Sequence, residues 1–544
     1  MRFIRPLPRR VTRPLTYLGL AAWVVTMAAL VDRSYLQASV NLATDLARYG
    51  STAVWSGIYY RGEKIGFTVN QMTRTESGFE LQQDGQLQVL LLGQDTAATI
   101  RTTARVDSNF VLQSFHFSLD PGTGATTISG DVTPIESGRH RLTLTVASSG
   151  STRAETRELE QAPAMSLNLP RMLASRGLVP GSTHTWMVLD PATLHTAPMT
   201  VRVGQRGVAR TSETIVPAFP VEMEFQGLRT TSWVTDTGDV VREESPLGLM
   251  TVRESADRAR GLAVPARIQS DLLRASAIVP EMRQRIDDPR NVRRLRVRLT
   301  GADIPLADMN GAGQSISEDI IEIRDPRSLE ATPLEANLER YLAPEPFIES
   351  DAPEIIAEAR EALRPLAPDV TDRTRAERLV RHVNLLLEKK PTVSLPSARE
   401  VLRTKVGDCN EHTALYVALA RAAGLPARIA VGIVYMHGAF YYHAWPEVYI
   451  REGSNRGLWL PVDPTLNQFP ADATHLRLAR GGLDKQAAIV PLIGRLQMTV
   501  LDVDIVEGTM PVVVGRELEA DMADIPFIGT RTSPSSCRCP ESAR

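Results

Sequence analysis

Three side chains that lie far apart along the chain have the chemistry of a thiol-dependent acyl transfer. Cys409 stands at the predicted start of a helix, where unpaired N–H groups and the helix dipole favour a thiolate. His443 follows on a predicted strand, and an imidazole suits the removal of a thiol proton near neutral pH. Asp463 comes later still, at the end of the next strand, where a carboxylate can orient the ring. This order predicts a nucleophile, a base and an orienting residue.

Other polar residues beside Cys409 leave two alternatives open. His412 lies three residues further on the same helical face, as a second base or as part of a zinc site with Cys409 and His443. The cysteine-to-histidine separations lack finger-like spacing, and the triad explains more, so neither a metal nor a cofactor is predicted. Asp408 and Glu411 are expected to cap the helix, with a groove-lining role for Asp408 as the alternative.

The elements that must position these residues are helices followed by strands. A helix is expected from the N-cap at Thr371 or Asp372 to Lys389, a short one after Ser397, and a third from Cys409 to Ala423. Strands are then predicted at 427–435, 441–450 and 457–462. Helices followed by consecutive strands, without strict alternation, predict an α+β domain over residues 351–510.

Four motifs of this region carry a family resemblance: Gly407–Leu415, Arg421–Arg428, His443–Val448 and Trp459–Thr465. They resemble the bacterial form of the transglutaminase-like superfamily of papain-type Cys-His-Asp enzymes. The resemblance implies that Cys409 is the nucleophile, that His443 is the base and then the acid, and that Asp463 orients the ring. It also implies a cysteine-bearing helix packed on an antiparallel sheet.

The resemblance implies an enzyme that acts on protein or peptide amide bonds through a thioester. Animal transglutaminases carry a tryptophan after the nucleophile, whereas this chain has Asn410, and no calcium loop of the EF-hand type is present. Hydrolysis is therefore expected at least as strongly as transamidation. The alternative is a non-catalytic binding or scaffold module of the cell envelope with the same fold.

Composition excludes several other classes of protein. The chain has 544 residues, 61 basic and 63 acidic side chains, and 5% aromatic residues. No basic block interleaved with aromatics is present, so nucleic acid is not an expected partner. Its 43% hydrophobic content excludes both a disordered chain and a polytopic membrane protein. Three cysteines, two of them at 537 and 539, cannot build a disulfide framework, and the oligomeric state stays open.

The N-terminus predicts an anchor in the bacterial inner membrane. Residues 1–14, a cytoplasmic basic tail, carry five arginines, and the uncharged run 15–31 that follows is just long enough to span a bilayer. The bulk of the chain is then expected in the periplasm. A cleaved signal peptide is the alternative, although Thr26 to Ala28 fits a cleavage site poorly.

The remaining residues are predicted to form an antiparallel β region (51–258), a connector with some β content (259–350) and a C-terminal tail (511–544). The β region has apolar residues at every second position and frequent turns, which predicts one curved sheet or two tandem sheets with one wet face. In the connector, arginines alternate with Leu295 and Val297. This alternation predicts a solvated edge strand more strongly than a patch for an anionic surface.

Overall fold

The structure, a computed structural model, describes residues 53–148, 151–245, 248–261, 271–301, 309–481, 489 and 492–506. Within these ranges the chain is mostly antiparallel β-sheet with few helices, as the sequence predicts. The predicted anchor at 15–31 and the tail at 511–544 lie outside these ranges. Among the helices of the described residues, none is long and apolar enough to cross a membrane.

The N-terminal part is one antiparallel sheet whose 15 strands all lie in the described ranges. Its strands are β1 (Val54–Tyr60), β2 (Glu63–Arg74), β3 (Gly78–Leu91), β4 (Gln94–Asp107), β5 (Leu112–Asp120), β6 (Thr126–Pro134), β7 (His140–Ser148), β8 (Ser151–Leu159), β9 (Thr183–Asp190), β10 (His195–Val203), β11 (Gly207–Arg210), β12 (Ile215–Phe225), β13 (Leu228–Val234), β14 (Val240–Glu244) and β15 (Leu249–Glu254). Strand β1 pairs with both β2 and β15, so the two ends of this region meet within a single sheet.

Alternating burial explains why these segments form strands. In β7 the side chains of Leu142, Leu144 and Val146 are buried, and the residues between them are partly exposed. Such alternation places one face of a strand on a core and the other towards water. The helices α1 (Leu169–Arg176), α2 (Ala256–Arg260) and α3 (Leu272–Ala275) also belong to this half of the chain. The sheet is covered on both faces in places, since the adjacent residues Ala218 and Phe219 of β12 are buried in different apolar clusters.

The C-terminal part holds the longer helices and, among the described residues, three further sheets. The helices are α4 (Pro353–Leu363), α5 (Asp372–Leu386), α6 (Ala398–Thr404) and α7 (Cys409–Ala422). The strands are β16 (Val292–Thr300), β17 (Gln314–Ser317), β18 (Ile320–Arg324), β19 (Thr332–Pro333), β20 (Glu388–Lys389), β21 (Val406–Gly407), β22 (Ala427–Met436), β23 (Ala439–Arg451), β24 (Arg456–Pro461), β25 (Leu476–Arg480) and β26 (Gln497–Ile505). One sheet has the order β19-β24-β23-β22-β25, another has the order β17-β18-β16-β26, and the smallest is the parallel pair of two-residue strands β20 and β21.

The central five-stranded sheet is covered on both faces. Apolar residues of α4 to α7 form one buried cluster with β23 and β24, and a second cluster joins β22 and β25 to β16, β18 and β26. Helix boundaries follow the predicted caps: Thr371 accepts a hydrogen bond from the N–H of Thr374, and Ser397 accepts one from Glu400. The α7 helix is therefore packed within the α+β layers and cannot shift independently of the sheet.

Strand β16 corrects the prediction of a solvated edge strand. Its alternation is present, since Val292, Leu295, Val297 and Leu299 are buried. The strand is nevertheless internal, because β18 pairs with one side and β26 with the other. The partner β26 is the last strand of the described chain, and local periodicity does not reveal so distant a neighbour. The segment 259–350 thus contributes a layer to the C-terminal fold.

A buried carboxylate ties the strands of the central sheet together. Glu447, which is fully buried, accepts hydrogen bonds from Arg428 (2.8 Å), Arg480 (3.0 Å) and Arg477. Burial alone would raise the pKa of Glu447, but the three guanidinium groups hold it at about 2. A buried charge of this kind needs its partners, because isolated charges in a protein interior are strongly unfavourable.

We expect Glu447→Gln to lower the free energy of unfolding by about 3–5 kcal/mol, because three guanidinium groups lose their shared counter-charge. The midpoint of urea unfolding, followed by tryptophan fluorescence, measures this loss. The contribution is complete above pH 4.5, the ordinary pKa of a glutamate, and disappears as the pH falls towards 2. Glu452→Gln is the matched control, because its contact with Arg373 (3.6 Å) is exposed and is worth about 0–1 kcal/mol. Equal losses in the two variants would contradict the prediction.

Candidate active site

Cys409 opens helix α7 through a capping box. The Asp408 carboxylate accepts a hydrogen bond from the Asn410 N–H (2.9 Å), and the Glu411 carboxylate accepts one from the Asp408 N–H (2.9 Å). These contacts confirm the caps predicted from the sequence. A Cβ atom at Gly407 would lie 2.2 Å from the Cβ of Glu411, so only glycine allows the chain to turn this tightly into the helix.

The Cys409 side chain lies against the strand that carries His443. The backbone N–H of Ala444 lies near enough to favour the Cys409 thiolate, and the carbonyl of Ala444 accepts a hydrogen bond from Thr413 Oγ1 (3.1 Å). The residue next to His443 is therefore held against the second turn of α7 through its carbonyl. Among the described residues, no hydrogen bond joins the Cys409 thiol directly to the His443 ring. The thiol and the imidazole thus belong to one wall of the site, where α7 meets β23.

The imidazole of His443 is bound to Asp463. His443 Nε2 lies 2.8 Å from Asp463 Oδ2, and both side chains are buried. Because a carboxylate oxygen only accepts, Nε2 carries the proton of this hydrogen bond, and Nδ1 is left as the nitrogen that can act as a base. The second oxygen of Asp463 accepts from the N–H groups of Thr465 (2.7 Å) and Leu466 (2.9 Å). The predicted histidine–aspartate pair therefore exists, in the tautomer that general-base chemistry requires.

The loop that carries Asp463 is fixed to helix α5. Asn384 Nδ2 donates to the carbonyl oxygens of Pro464 (2.8 Å) and Thr465 (3.2 Å). Arg381 Nη1 donates to the side-chain oxygen of Asn467 (2.7 Å). These contacts hold the loop backbone in place, so the orientation of the aspartate depends on the helical layer as well as on the sheet.

The electrostatic environment of the Cys409 thiol contradicts the prediction of a stabilised thiolate. Burial raises the pKa of Cys409 well above its usual range, and the charges of Asp408, Glu411 and Asp463 raise it further. The Ala444 N–H acts in the opposite direction but is outweighed. The helix dipole contributes only about half a unit charge, which is less than three nearby carboxylates together with desolvation. In the resting protein Cys409 is therefore a neutral thiol.

A second histidine, which the sequence analysis did not single out, completes the site. His475 Nε2 lies 3.1 Å from Asp463 Oδ2, the same oxygen that binds His443. On its other side, His475 Nδ1 faces the carbonyl oxygen (3.1 Å) and the Oδ1 (3.3 Å) of Asp472. The only sequence signal is an aspartate three residues before a histidine at the start of a strand, and this pattern does not reveal that the histidine reaches Asp463.

Close packing of two strands brings His475 to this position. Gly432 on β22 is the register partner of His443 on β23. A Cβ atom at Gly432 would lie 2.0 Å from the carbonyl oxygen of Leu476, the residue after His475. The absence of a side chain at this position therefore lets the start of β25 approach the catalytic strand.

A metal could reach this cluster only by displacing its hydrogen bonds. The ligand atoms of His443, Asp463 and His475 lie within 4.8 Å of one another. Each histidine nitrogen in question faces the Asp463 carboxylate and carries a proton, so neither offers a lone pair there. Neither Cys409 nor His412 joins such a cluster in the described ranges. The absence of a metal remains a prediction of the sequence.

Three buried polar atoms beside the triad have no hydrogen-bond partner in the described part of the chain: His412 Nε2, Tyr442 Oη and Trp445 Nε1. The His412 Nδ1 atom donates to the carbonyl of Asp408 (2.7 Å), and burial lowers the pKa of His412, so this ring is neutral. Buried polar atoms without a partner are rare in proteins.

The N-terminal sheet contacts the catalytic helix through residues 391–395. Thr392 Oγ1 (3.1 Å) and Ser394 Oγ both donate to Glu411 Oε1, in the capping box of α7. The intervening Val393 and the neighbouring Leu395 pack into the apolar clusters of the large sheet. Side chains alternate between two faces in this extended segment, so one short stretch joins the β region to the helix that bears the nucleophile.

Comparison with known proteins agrees with this architecture. Residues 362–464, which include Cys409, His443 and Asp463, match the transglutaminase-like superfamily. The chain therefore contains a transglutaminase-like domain over this range, whereas His475 and Asp472 lie beyond it. No curated protein matches the chain.

Solved structures show only distant similarity. The chain is similar to a candidate cysteine protease from Cytophaga hutchinsonii, with 17% identity, a TM-score of 0.26, and coverage of 39% of this chain and 89% of that one. It is also similar to a candidate protease from Parabacteroides distasonis, with 11% identity, a TM-score of 0.18, and coverage of 64% and 68% of the two chains. Function must accordingly be argued from the residues of this chain.

We expect Gly432→Ala to lower the free energy of unfolding by about 1–3 kcal/mol, because the new methyl group collides with the carbonyl of Leu476. The midpoint of chemical unfolding measures the effect. Gly85→Ala on β3 is the matched control, because a Cβ atom there would meet nothing nearer than 3.5 Å. The prediction is wrong if the two substitutions are equally tolerated.

We expect the Cys409 thiol to titrate above pH 8.5, roughly the value of a free cysteine, because burial and neighbouring carboxylates disfavour the thiolate. The pH dependence of iodoacetamide alkylation measures this midpoint. A variant with Cys537→Ser and Cys539→Ser restricts the reaction to Cys409. The urea-unfolded protein, which should titrate normally, is the control. A midpoint near pH 6 in the folded protein would show that the helix dipole dominates after all.

Proposed function

We propose that this protein is a cysteine hydrolase or acyltransferase that acts on protein or peptide amide bonds through a thioester. The observation that carries the proposal is the buried hydrogen bond between His443 and Asp463, built beside the cysteine of a helix N-terminus inside a transglutaminase-like domain. In this tautomer His443 has an unprotonated Nδ1 on the side of the ring opposite Asp463. The nearby thiol of Cys409 is the group it is arranged to deprotonate.

The reaction begins with a neutral thiol, since burial disfavours the thiolate. As the amide carbonyl approaches, His443 Nδ1 takes the Cys409 proton while the sulfur forms a bond to the carbonyl carbon. The resulting imidazolium is stabilised by Asp463. His443 then gives the proton to the amide nitrogen, the C–N bond breaks, and the amine leaves a thioester on Cys409.

The second half of the reaction determines whether the protein acts as a hydrolase or as an acyltransferase. Water, deprotonated by His443, attacks the thioester and releases a carboxylic acid, and His443 returns the proton to the sulfur as the C–S bond breaks. If a primary amine attacks instead, the product is a new amide. The backbone N–H of Cys409, at the start of α7, is the donor we assign to the developing oxyanion. Hydrolysis is the outcome we favour, since Asn410 stands where the cross-linking enzymes of animals carry tryptophan.

We also propose that the enzyme works at the bacterial inner membrane, with residues 15–31 as a single-pass anchor and the catalytic domain in the periplasm. The support is the sequence pattern alone, arginines followed by an apolar run. N-terminal sequencing of the mature protein separates a retained anchor from a cleaved signal peptide. An alkaline phosphatase fusion at the C-terminus, active only outside the cytoplasm, tests the orientation.

We expect a peptide fluoromethyl ketone, an electrophile that mimics an amide, to modify Cys409 in the native protein. The rate should fall by roughly 10²–10⁴ in His443→Ala, because no base then removes the thiol proton. Asp463→Asn should fall by a similar factor, because the ring loses its tautomer and orientation. Mass spectrometry of the modified peptide gives the site and the rate.

His116→Ala, which removes an exposed histidine on β5, is the matched control for this experiment and should leave the rate unchanged. Modification of Cys409 at the same rate in all variants would refute an enzymatic role. Adding a fluorescent primary amine together with a mixture of peptides separates transamidation, which incorporates the dye, from hydrolysis, which does not.

Two observations favour a second candidate function, that of a non-catalytic envelope module. The raised pKa of Cys409 and the lack, among the described residues, of a direct hydrogen bond to His443 are both compatible with an inert thiol. The same labelling experiment decides, because an inert module shows no dependence on His443.

A further inference from the structure

The chain of hydrogen bonds behind the triad does not end at the aspartate. Asp463 Oδ2 accepts from His443 Nε2 at 2.8 Å and from His475 Nε2 at 3.1 Å, and His475 in turn contacts Asp472. All four side chains are buried, with His475 at 5% exposure and Asp463 at 0%. Two histidines therefore share one carboxylate oxygen in the interior of the protein.

The partners of His475 define its protonation state. Its Nε2 faces a carboxylate oxygen, and its Nδ1 faces the carbonyl and carboxylate oxygens of Asp472. Carbonyl and carboxylate oxygens only accept hydrogen bonds. The remaining oxygens of the two carboxylates also act as acceptors, since Asp463 Oδ1 accepts from two backbone N–H groups and Asp472 accepts from Thr474 and Gln468. Both ring nitrogens must then be donors, and an imidazole with two donors is a cation.

We propose that His475 is a permanently charged positioning residue of the active site, an imidazolium that keeps Asp463 ionised and limits how strongly His443 holds its proton. The inference rests on the proposed function for its catalytic consequence, but the charged state of His475 stands on hydrogen-bond geometry alone. His475 touches no substrate atom in this scheme and acts through Asp463. Its position beyond residue 464 separates it from the matched domain.

The charges around the pair support this assignment. Burial alone would lower the pKa of His475, but Asp472 and Asp463 raise it to about 10. His475 likewise holds the pKa of Asp472 at about 2. The other titratable groups that face this cluster are His443 on β23, whose ring centre is 6.0 Å from that of His475, and His412 and Cys409 on α7, which both respond to the charge of Asp463. On the other side, the guanidinium of Arg327 interacts with the charge of Asp472. Arg477, further along β25, is engaged by Glu447.

The cation has a definite effect on the base. Asp463 alone would attract the proton of His443 strongly, since a neighbouring negative charge stabilises imidazolium. A fixed positive charge on the far side of the same carboxylate offsets that attraction. The same positive charge also helps to keep the pKa of Asp463 below its usual range. The arrangement separates the orienting role of the aspartate from its effect on basicity.

The test uses the full-length chain labelled with ¹⁵N-histidine, with nuclear magnetic resonance of the ring nitrogens between pH 5 and pH 9. We expect both nitrogens of His475 to stay protonated from pH 6 to pH 8, where an ordinary histidine loses a proton. The His475→Gln variant assigns the signal by its disappearance. An unprotonated nitrogen of His475 at pH 7 would overturn the proposal, whether that nitrogen is free or bound to a metal.

Two variants test the effect on the base. In Asp472→Asn, which keeps the shape and the acceptor of residue 472, His475 should begin to titrate below pH 8. In His475→Gln, the titration midpoint of His443 should rise by about one pH unit, because a nearby positive charge is removed. His382→Gln removes a histidine paired with Glu358 (2.6 Å) between α4 and α5 and should leave His443 unchanged.

The outcomes separate this inference from the proposed function. A purely structural His475 would lower the unfolding midpoint of the His475→Gln variant without moving the titration of His443, and that result would overturn the positioning role. If Cys409 proves unreactive towards the fluoromethyl ketone while His475 stays charged, the proposed function fails and the charge assignment stands. If labelling depends on His443 but His475 titrates as an ordinary histidine, the reverse holds.

Discussion

The need to satisfy one buried carboxylate organises the C-terminal half of this protein. Asp463 is fully buried, and a charge in that position is stable only when every acceptor site is filled. Its donors come from three directions: a ring on β23, a ring ahead of β25 and the backbone of its own loop. Helix α5 fixes that loop and Gly432 admits the start of β25. Strands of the central sheet, helix α5 and the loop itself thus all help to hold the two carboxylate oxygens of Asp463.

The C-terminal domain was largely predictable because its signals are local. Caps at Thr371 and Ser397, glycine and proline after α7, and the apolar runs of β22 to β24 each act within a few residues. His443 sits on β23 and Asp463 lies just after the neighbouring strand β24, so their contact followed from chain order. His475 could not be found in this way, because its approach depends on a missing side chain at Gly432, two strands earlier in the sequence.

Long-range pairing and electrostatics account for the other differences. Strand β16 has the alternation of a half-buried strand, but its neighbour β26 comes from the far end of the described chain, so its place inside a sheet was invisible to local analysis. The thiol of Cys409 was expected to ionise easily because a helix start is a local feature. The opposing carboxylates include Asp463, which only the folded chain brings close. Desolvation, which a sequence does not display, then sets the direction of the shift.

The stretch from Pro391 to Leu395 has a consequence for dissecting the protein. Its apolar side chains are covered by the large sheet while its hydroxyl groups support the helix that holds the nucleophile, and β26 pairs with β16, which precedes the helices. An excised fragment that starts at residue 351 would expose both surfaces at once, and the segment that holds Thr392 and Ser394 against Glu411 would lose its apolar cover. The smallest unit that keeps these contacts is therefore larger than the matched transglutaminase-like range, and it includes the large sheet.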